Sequence, residues 1–212
     1  MIKKTSLEAY SRPRTNGVIA ITVRDGDELL EAVMTNGHSE ILLAGRKGRC
    51  CRFDEADARA LGRTASGVRG INIDEDDEVV GMVVYDPTAE DASSHSVLVV
   101  SAHGYGKRSD FDEYRKTNRG GKGVKTLNIT DKTGDLVALK NVTDENDLMI
   151  INRSGLTIRM AVSGIKVAGR ATQGVRLINI KEGDSIAAVS AVNKSEEDQP
   201  VAPVEEVQEK TE

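Results

Sequence analysis

The stretch Gly123-Val124-Lys125-Thr126-Leu127-Asn128-Ile129 decides the fold, because three other stretches of the chain follow the same pattern. Each copy begins with Gly-Val and continues with residues dominated by Val, Ile and Leu. The anchoring glycines are 50, 56 and 51 residues apart, which is a period typical of propeller blades and solenoid repeats. The sequence therefore predicts a repeat protein, and the three related stretches are Gly17–Val23, Gly67–Ile73 and Gly174–Ile180.

The segments around each Gly-Val stretch predict about four short strands per repeat. In the later repeats a hairpin comes first, with opening strands predicted from Ile41, Val97 and Leu148, and an apolar strand comes last. We expect an all-β, propeller-like array of about three and a half blades, filled mainly by branched aliphatic side chains because only 3% of residues are aromatic. The predicted units are the first (residues 1–40), second (41–90), third (91–145) and fourth (146–194).

The first unit lacks the hairpin that opens the other three. Its predicted strands end near Thr5 and then cover Gly17–Val23 and Glu28–Met34. The sequence is therefore interpreted as an array shortened at its amino terminus.

Charge is distributed unevenly along the chain. The formal net charge is −5, but residues 195–212 alone carry seven acids and one base, which leaves residues 1–194 at +1. The last 18 residues also contain Pro200 and Pro203 and few large apolar residues, so they are predicted to be a disordered acidic tail.

The loop before Val124 is suited to holding a polyanion. It reads Thr117-Asn118-Arg119-Gly120-Gly121-Lys122-Gly123, so three glycines let the backbone approach a surface while the bases supply positive charge. A solvated basic turn is the alternative for such a loop taken alone.

This loop carries a resemblance to a known family. Arg119 to Gly123 match the last five positions of the Q-R-R-G-G-K-G box that marks the carboxy-terminal domain of the DNA gyrase A protein, while Thr117 and Asn118 depart from it. Gly62–Arg69 and Gly169–Arg176 resemble the degenerate boxes of the same family. In that family the strict box lies in the first of six blades, whereas here the nearest match to it lies in the third unit.

The resemblance implies a β-pinwheel that wraps duplex DNA around a basic edge without reading its sequence. It places the chain in a type II topoisomerase that introduces negative supercoils. The implied partners are the rest of the gyrase A protein and the gyrase B protein. No catalytic residue and no cofactor are expected in this chain, since ATP and magnesium are used elsewhere in such an enzyme. Two alternatives stay open: the corresponding domain of the A-type protein of topoisomerase IV, and a propeller-type scaffold that binds proteins.

Wrapping requires positive charge at intervals along a curved edge, because phosphate contacts offset the cost of bending. The predicted DNA-binding residues occur in every unit and are concentrated in loops. They are Arg12, Arg14, Arg46, Lys47, Arg52, Arg63, Arg69, Lys107, Arg108, Arg115, Lys116, Arg119, Gly120, Gly121, Lys122, Gly123, Lys125, Arg159, Arg170 and Arg176.

Other chemistry has little support in the sequence. The adjacent Cys50 and Cys51 match neither a zinc spacing nor a disulfide framework, which favours a reducing, cytoplasmic setting. His38, His95 and His103 have no ligand spacing, so no metal site is predicted. No apolar run is long enough for a membrane span or follows the first lysines as a signal peptide would.

Overall fold

A computed structural model describes residues 1–193 of the chain, and the acidic tail predicted at 195–212 lies outside the described residues. The described part is all-β, with strands joined by short turns and five single-turn 3-10 segments. The 3-10 segments are Leu7–Tyr10, Glu55–Asp57, Ala92–Ser94, Phe111–Glu113 and Val162–Gly164. The strands are β1 (Glu40–Gly45), β2 (Arg49–Asp54), β3 (Val79–Tyr85), β4 (Ser96–Ser101), β5 (Tyr105–Ser109), β6 (Val124–Lys125), β7 (Leu136–Val142), β8 (Asn146–Asn152), β9 (Thr157–Ala161), β10 (Val175–Arg176) and β11 (Ile186–Asn193).

The strands form three antiparallel sheets, one for each of the second, third and fourth units. Their orders are β3-β1-β2-β6, β10-β5-β4-β7 and β11-β8-β9. Each sheet is built on a hairpin, and the predicted hairpin openings at Ile41, Val97 and Leu148 fall within β1, β4 and β8. The predicted propeller-like array of short strands is confirmed.

Neighbouring units exchange strands. β6 follows the central loop of the third unit but pairs with β2 of the second, and β10 of the fourth unit pairs with β5 of the third. The valine after the anchoring glycine is the paired residue each time: Val124 lies opposite Cys50, and Val175 lies opposite Gly106. The edges of β2 and β5 are thus each paired over two residues by the following unit, which covers some of their free backbone donors and acceptors.

The anchoring glycine is required by this close approach. Gly123 has a φ of +68°, and a Cβ atom placed on it would lie 2.3 Å from the carbonyl oxygen of Cys50. Gly174 meets the carbonyl of Gly106 in the same way, at 2.4 Å. A side chain at either position would collide with the backbone of the preceding unit, so the repeated glycine reflects a packing constraint.

The apolar core is continuous across the joints between units. One cluster joins Leu42 and Val83 of the second unit to Val97 and Leu136 of the third. The rings of Tyr85 and Phe111 stack across the same joint with centroids 3.8 Å apart. A second cluster joins the third unit to the fourth, so these units pack face to face.

The strands predicted in the first unit are not formed. Ile2 and Lys4 make only isolated bridges, to Val68 and Ala60, and neither Gly17–Val23 nor Glu28–Met34 contains strand. Ile19 is 65% exposed and Met34 is 64% exposed. These segments have strand-forming sequences, but a strand forms only where another strand can pair with it, and none of the described residues does so here. The longer strand predicted at Gly67–Ile73 is likewise reduced to the single bridge at Val68.

Candidate nucleic-acid interface

Three of the predicted DNA-binding bases inside the hairpin strands, Arg52, Lys107 and Arg108, are covered by the next unit and do not face solvent. The guanidinium of Arg52 binds Glu40 at 2.5 Å and donates to the carbonyls of Phe111 and Tyr114 in the next unit at 2.5 and 3.0 Å. Arg108 occupies the corresponding position one unit later: it pairs with Asp144 and donates to a backbone carbonyl of the fourth unit. Both arginines link neighbouring units, and their side chains are too covered to contact phosphate.

Lys107 is fully buried, so it is also not available to bind DNA as the sequence predicted. Its ammonium donates to the carbonyls of Gly169, Arg170 and Thr172, which belong to the loop before β10. Burial lowers the pKa of Lys107 to about 8, because desolvation disfavours the charged amine. Lys107 therefore holds the loop of the fourth unit in place.

One arginine per box forms the same contact at each joint. Each lies four residues before its anchoring glycine and donates to the carbonyl of the residue after the Gly-Val pair in the preceding unit. The distances are 2.7 Å from Arg63 to Ile19, 2.6 Å from Arg119 to Arg69 and 2.8 Å from Arg170 to Lys125. The box loops are thereby fixed against the preceding unit, and the bases of successive units become neighbours.

The glycines of the central loop extend this docking. The N–H of Gly120 donates to the carbonyl of Gly70 at 2.7 Å, and the N–H of Asn72 donates to the carbonyl of Gly121 at 2.9 Å. Arg49 donates to the carbonyls of Lys122 and Gly123. The loop is an ordered part of the joint, so its exposed charge is held at a fixed position.

Lys122 is the exposed charge of this loop. Its ammonium has no hydrogen bond or ion pair among residues 1–193, and it lines a cleft of about 220 Å³ together with Lys47 and Arg49. Asp74 and Asp77 line the same cleft. Four more predicted bases are exposed without a side-chain partner in the described part of the chain, namely Arg12, Arg14, Arg69 and Arg115.

Several other predicted bases are partly neutralised by nearby carboxylates. Lys116 lies 3.0 Å from Glu40 and 3.7 Å from Asp54. The remaining ion pairs are Arg46 with Glu78 and Asp135, Lys47 with Asp76, and Arg159 with Asp147. Such bases contribute less net field to a phosphate backbone than Lys122 does.

Tyr105 was missed by the sequence interpretation. The guanidinium of Arg176 donates to its phenol oxygen at 2.7 Å and lies 5.3 Å from the centre of its ring. This hydrogen bond lowers the pKa of the Tyr105 phenol. Its position in the repeat could have indicated this contact. Tyr105 lies opposite Arg176, which follows a Gly-Val pair, and Arg49 lies opposite Lys125, which follows the Gly-Val pair of the third unit.

Among residues 1–193, no three His, Cys, Asp or Glu side chains are grouped as metal ligands. The ring nitrogens of His95 contact Asn141 and Asp91. The same part of the chain contains no helix with the length and hydrophobicity needed to cross a bilayer.

The chain matches a family model described as the DNA gyrase C-terminal domain, beta-propeller. The match comes in four segments, over residues 1–36, 39–86, 95–143 and 146–193.

Curated relatives include the DNA gyrase A proteins of Staphylococcus epidermidis and of Staphylococcus aureus. The chain is 44% identical to the first over 197 residues and 44% identical to the second over 199 residues. These alignments cover 93% and 94% of the chain, but the chain spans only 22% of the length of either relative.

Solved structures share the fold. A C-terminal domain of DNA topoisomerase IV aligns with a TM-score of 0.83 at 23% identity, covering 91% of this chain and 59% of that one. A DNA gyrase A C-terminal domain aligns with a TM-score of 0.73 at 23% identity, covering 83% and 58%. The E. coli ParC C-terminal domain gives a TM-score of 0.61 at 20% identity, covering 82% and 69%.

Proposed function

The chain belongs to the DNA gyrase C-terminal domain family, and from this premise we propose that it binds duplex DNA without sequence preference and bends it along successive units. Its relatives are named as the A protein of DNA gyrase, so the proposed setting is that protein together with gyrase B. Negative supercoiling by a type II topoisomerase is the proposed activity of the whole assembly. ATP and magnesium would act in other parts of that assembly.

The observation that carries the DNA-binding proposal is the repeated joint of Arg63, Arg119 and Arg170. Each joint fixes a basic loop beside a Gly-Val stretch of the preceding unit. The residues two positions after the anchoring glycines, Arg69, Lys125 and Arg176, are exposed bases on these fixed stretches. Phosphate contacts need only positive charge at suitable spacing, since they add affinity without reading bases.

The physical cost of bending sets how many contacts are needed. Smooth bending of a site of 20 to 30 base pairs by 40 to 90° costs on the order of 1 to 6 kcal/mol. We therefore expect several phosphate contacts in each unit to be required for wrapping.

The proposed location is the cytoplasm, supported by the free and buried state of Cys50 and Cys51.

Binding and bending are tested separately. Fluorescence anisotropy with a duplex of about 40 base pairs should show affinity that falls steeply with salt, with a log-log slope of roughly −0.9 per phosphate contact. No duplex binding at low salt would overturn the proposal and favour the protein-binding scaffold. Ligation of a nicked plasmid in the presence of the chain should shift the linking number, and binding with an unshifted linking number would overturn wrapping.

The topoisomerase IV alternative rests on the fold alone, because the structures that suggest it are under 25% identical. The two assemblies are separated by function. The chain joined to the remainder of a gyrase A protein, with gyrase B, should restore ATP-dependent negative supercoiling of relaxed plasmid. Restoration of relaxation without supercoiling would favour the alternative.

A further inference from the structure

One phenol and two bases converge where the third unit meets the fourth. The guanidinium of Arg176 donates to the hydroxyl oxygen of Tyr105, at 2.7 Å from Nη2 and 3.2 Å from Nε. The Nζ of Lys132 and the guanidinium carbon of Arg176 each lie 5.3 Å from the centre of the Tyr105 ring. Both bases are exposed, whereas Tyr105 is only 6% exposed. Two surface cations are therefore held around one covered ring.

No carboxylate balances these two charges among residues 1–193. Neither Lys132 nor Arg176 forms an ion pair there, whereas Lys47 pairs with Asp76 and Lys116 with Glu40. Two like charges that approach the same ring repel each other, and an anion that contacts both would relieve this repulsion. The geometry is therefore suited to an anion from outside the described chain.

Arg176 has two donors left for such an anion. A guanidinium carries five N–H groups. Two of them donate to Tyr105, and a third, on Nη1, donates to the side-chain oxygen of Asn179 at 3.2 Å. One N–H therefore remains on each terminal nitrogen. Two such donors can bind two oxygens of one phosphate, which is the bidentate contact that arginine favours.

The preceding joint presents two bases at the corresponding place. Lys125 lies opposite Arg49 of β2, just as Arg176 lies opposite Tyr105 of β5. Lys125 also donates to an asparagine three residues later, at 3.2 Å from Asn128. Tyr105 thus occupies the position at which the preceding unit has a base.

Lys132 supplies the charge that Tyr105 lacks. The turns at residues 74–77 and 130–133 are both closed by a backbone hydrogen bond of 3.1 Å from their fourth residue to their first. This alignment makes Lys132 the counterpart of Asp76. The second unit therefore has its base on the strand and an acid on the turn, whereas the third unit has its base on the turn.

We propose that Lys132 and Arg176 together bind one phosphate of duplex DNA, with Tyr105 as the positioning residue that orients the Arg176 guanidinium. This inference rests on the proposed DNA binding and adds one contact to it. Lys132 is not among the bases predicted from the sequence, because it lies in a turn outside the box loops. A neutral phenol suits the positioning role, since it fixes the arginine without cancelling its charge as a carboxylate would.

Duplex binding at low salt, measured by fluorescence anisotropy, tests the shared contact. Lys132→Ala and Arg176→Ala should each weaken binding about tenfold. The double variant should lose little more than either single variant, because one base alone holds the phosphate poorly. Lys181→Ala is the matched control, since it removes an exposed lysine from the corresponding turn of the fourth unit, and it should weaken binding less. Additive losses would overturn the shared phosphate, as would an equal loss in the control.

Tyr105→Phe separates positioning from charge. The ring and both bases remain, so the log-log salt slope should match that of the wild type while affinity falls about threefold, as expected for one lost hydrogen bond. Arg176→Lys should also keep the slope and lose affinity, because lysine has the charge without the planar fork. Wild-type affinity in Tyr105→Phe would overturn the positioning role.

The Tyr105 phenol can report the bound phosphate directly. The hydrogen bond from Arg176 lowers the pKa of Tyr105, and the charges of Arg176 and Lys132 lower it further. A phosphate on these two bases would offset their charge and raise the pKa again. Carbon NMR of chain labelled at the hydroxyl-bearing carbon of tyrosine should therefore show Tyr105 titrating at higher pH when duplex is bound. The loss of one signal in Tyr105→Phe identifies the resonance.

The titration distinguishes failure of this site from failure of the proposed function. Duplex binding with an unmoved Tyr105 titration would overturn the site and leave the DNA-binding proposal in place. Absence of duplex binding at low salt would overturn both. In the double variant of Lys132 and Arg176, duplex should no longer move the Tyr105 titration, and a shift that persisted would also overturn the site.

Discussion

The guanidinium of Arg119 and the backbone carbonyl of Arg69 are joined by a 2.6 Å hydrogen bond across the boundary between the second and third units. The same guanidinium donates to the carbonyl of Asp57 at 3.1 Å. Arg119 therefore mainly links the two units, whereas Lys122 of the same loop presents the unpaired charge among residues 1–193. This division between the two bases of one loop leads to separate expectations for them.

Arg119→Ala should destabilise the fold by about 1.5 kcal/mol, the low end of the range for hydrogen bonds to charged groups, because Arg119 is half-buried. Urea denaturation measures this loss. Arg115→Ala is the matched control, since Arg115 is exposed without a side-chain partner in the described chain, and it should change stability by under about 0.5 kcal/mol. Equal effects of the two substitutions would contradict the structural role of Arg119.

Lys122→Ala should leave stability unchanged and weaken duplex binding at low salt. Its ammonium is exposed and carries no ion pair among residues 1–193, so its loss should reduce the log-log salt slope by roughly 0.9. Lys116→Ala should change the slope less, because Glu40 and Asp54 already neutralise Lys116. Anisotropy titrations at several salt concentrations compare both variants with the wild type. A salt slope of Lys122→Ala equal to that of the wild type would remove the central loop from the DNA path.

Gly123→Ala should destabilise the chain by about 2–5 kcal/mol, from positive-φ strain together with overpacking against the carbonyl of Cys50. Gly121→Ala is the control within the same loop, because a Cβ there would have no atom closer than 3.8 Å. Thermal or urea unfolding distinguishes the two. Comparable losses would show that the loop is less tightly docked than the structure has it.

Acid stability should depend on Glu55, whose carboxylate is buried. Burial favours the neutral acid, but the N–H of Ser39, the hydroxyl of Thr35 and the N–H of Gly37 outweigh it, together with Lys4, so the pKa lies below its ordinary value of 4.5. A lowered folded-state pKa gives stability that is present above 4.5 and is lost as pH falls through the folded value.

Glu55→Gln should therefore be less stable than the wild type at pH 7, and its stability should vary less with pH below 4.5. Urea midpoints from pH 7 to pH 3 provide the comparison. If the urea midpoint of the variant fell with pH as steeply as that of the wild type, the charge of Glu55 would contribute nothing to the acid dependence of stability.

Much of the architecture was predictable because it repeats. The Gly-Val period and the hairpins within β1, β4 and β8 carry local signals that the sequence displays directly. The first unit was predicted wrongly because Gly17–Val23 has the sequence of a strand, whereas strand formation depends on a partner edge that lies outside the segment. Local pattern cannot report whether that edge is present.

The predicted site was partly wrong for a related reason. Arg52 and Arg108 carry charge like any loop base, but in β2 and β5 their guanidinium groups donate to backbone carbonyls of the next unit. A usable signal existed for Arg52 and Arg159, since each has an acid twelve residues earlier on the facing strand, Glu40 and Asp147. Lys107 offered no such signal, because its partners are backbone carbonyls of a loop far along the chain.

Strand exchange affects the order in which the chain can fold during synthesis. Cys50 on β2 pairs with Val124, which is synthesised 74 residues later. At about 5–20 residues per second, a ribosome takes about 4–15 s to supply it. Throughout that interval the β2 edge is open to any other extended segment, so the nascent protein can mispair there until the following unit has been synthesised.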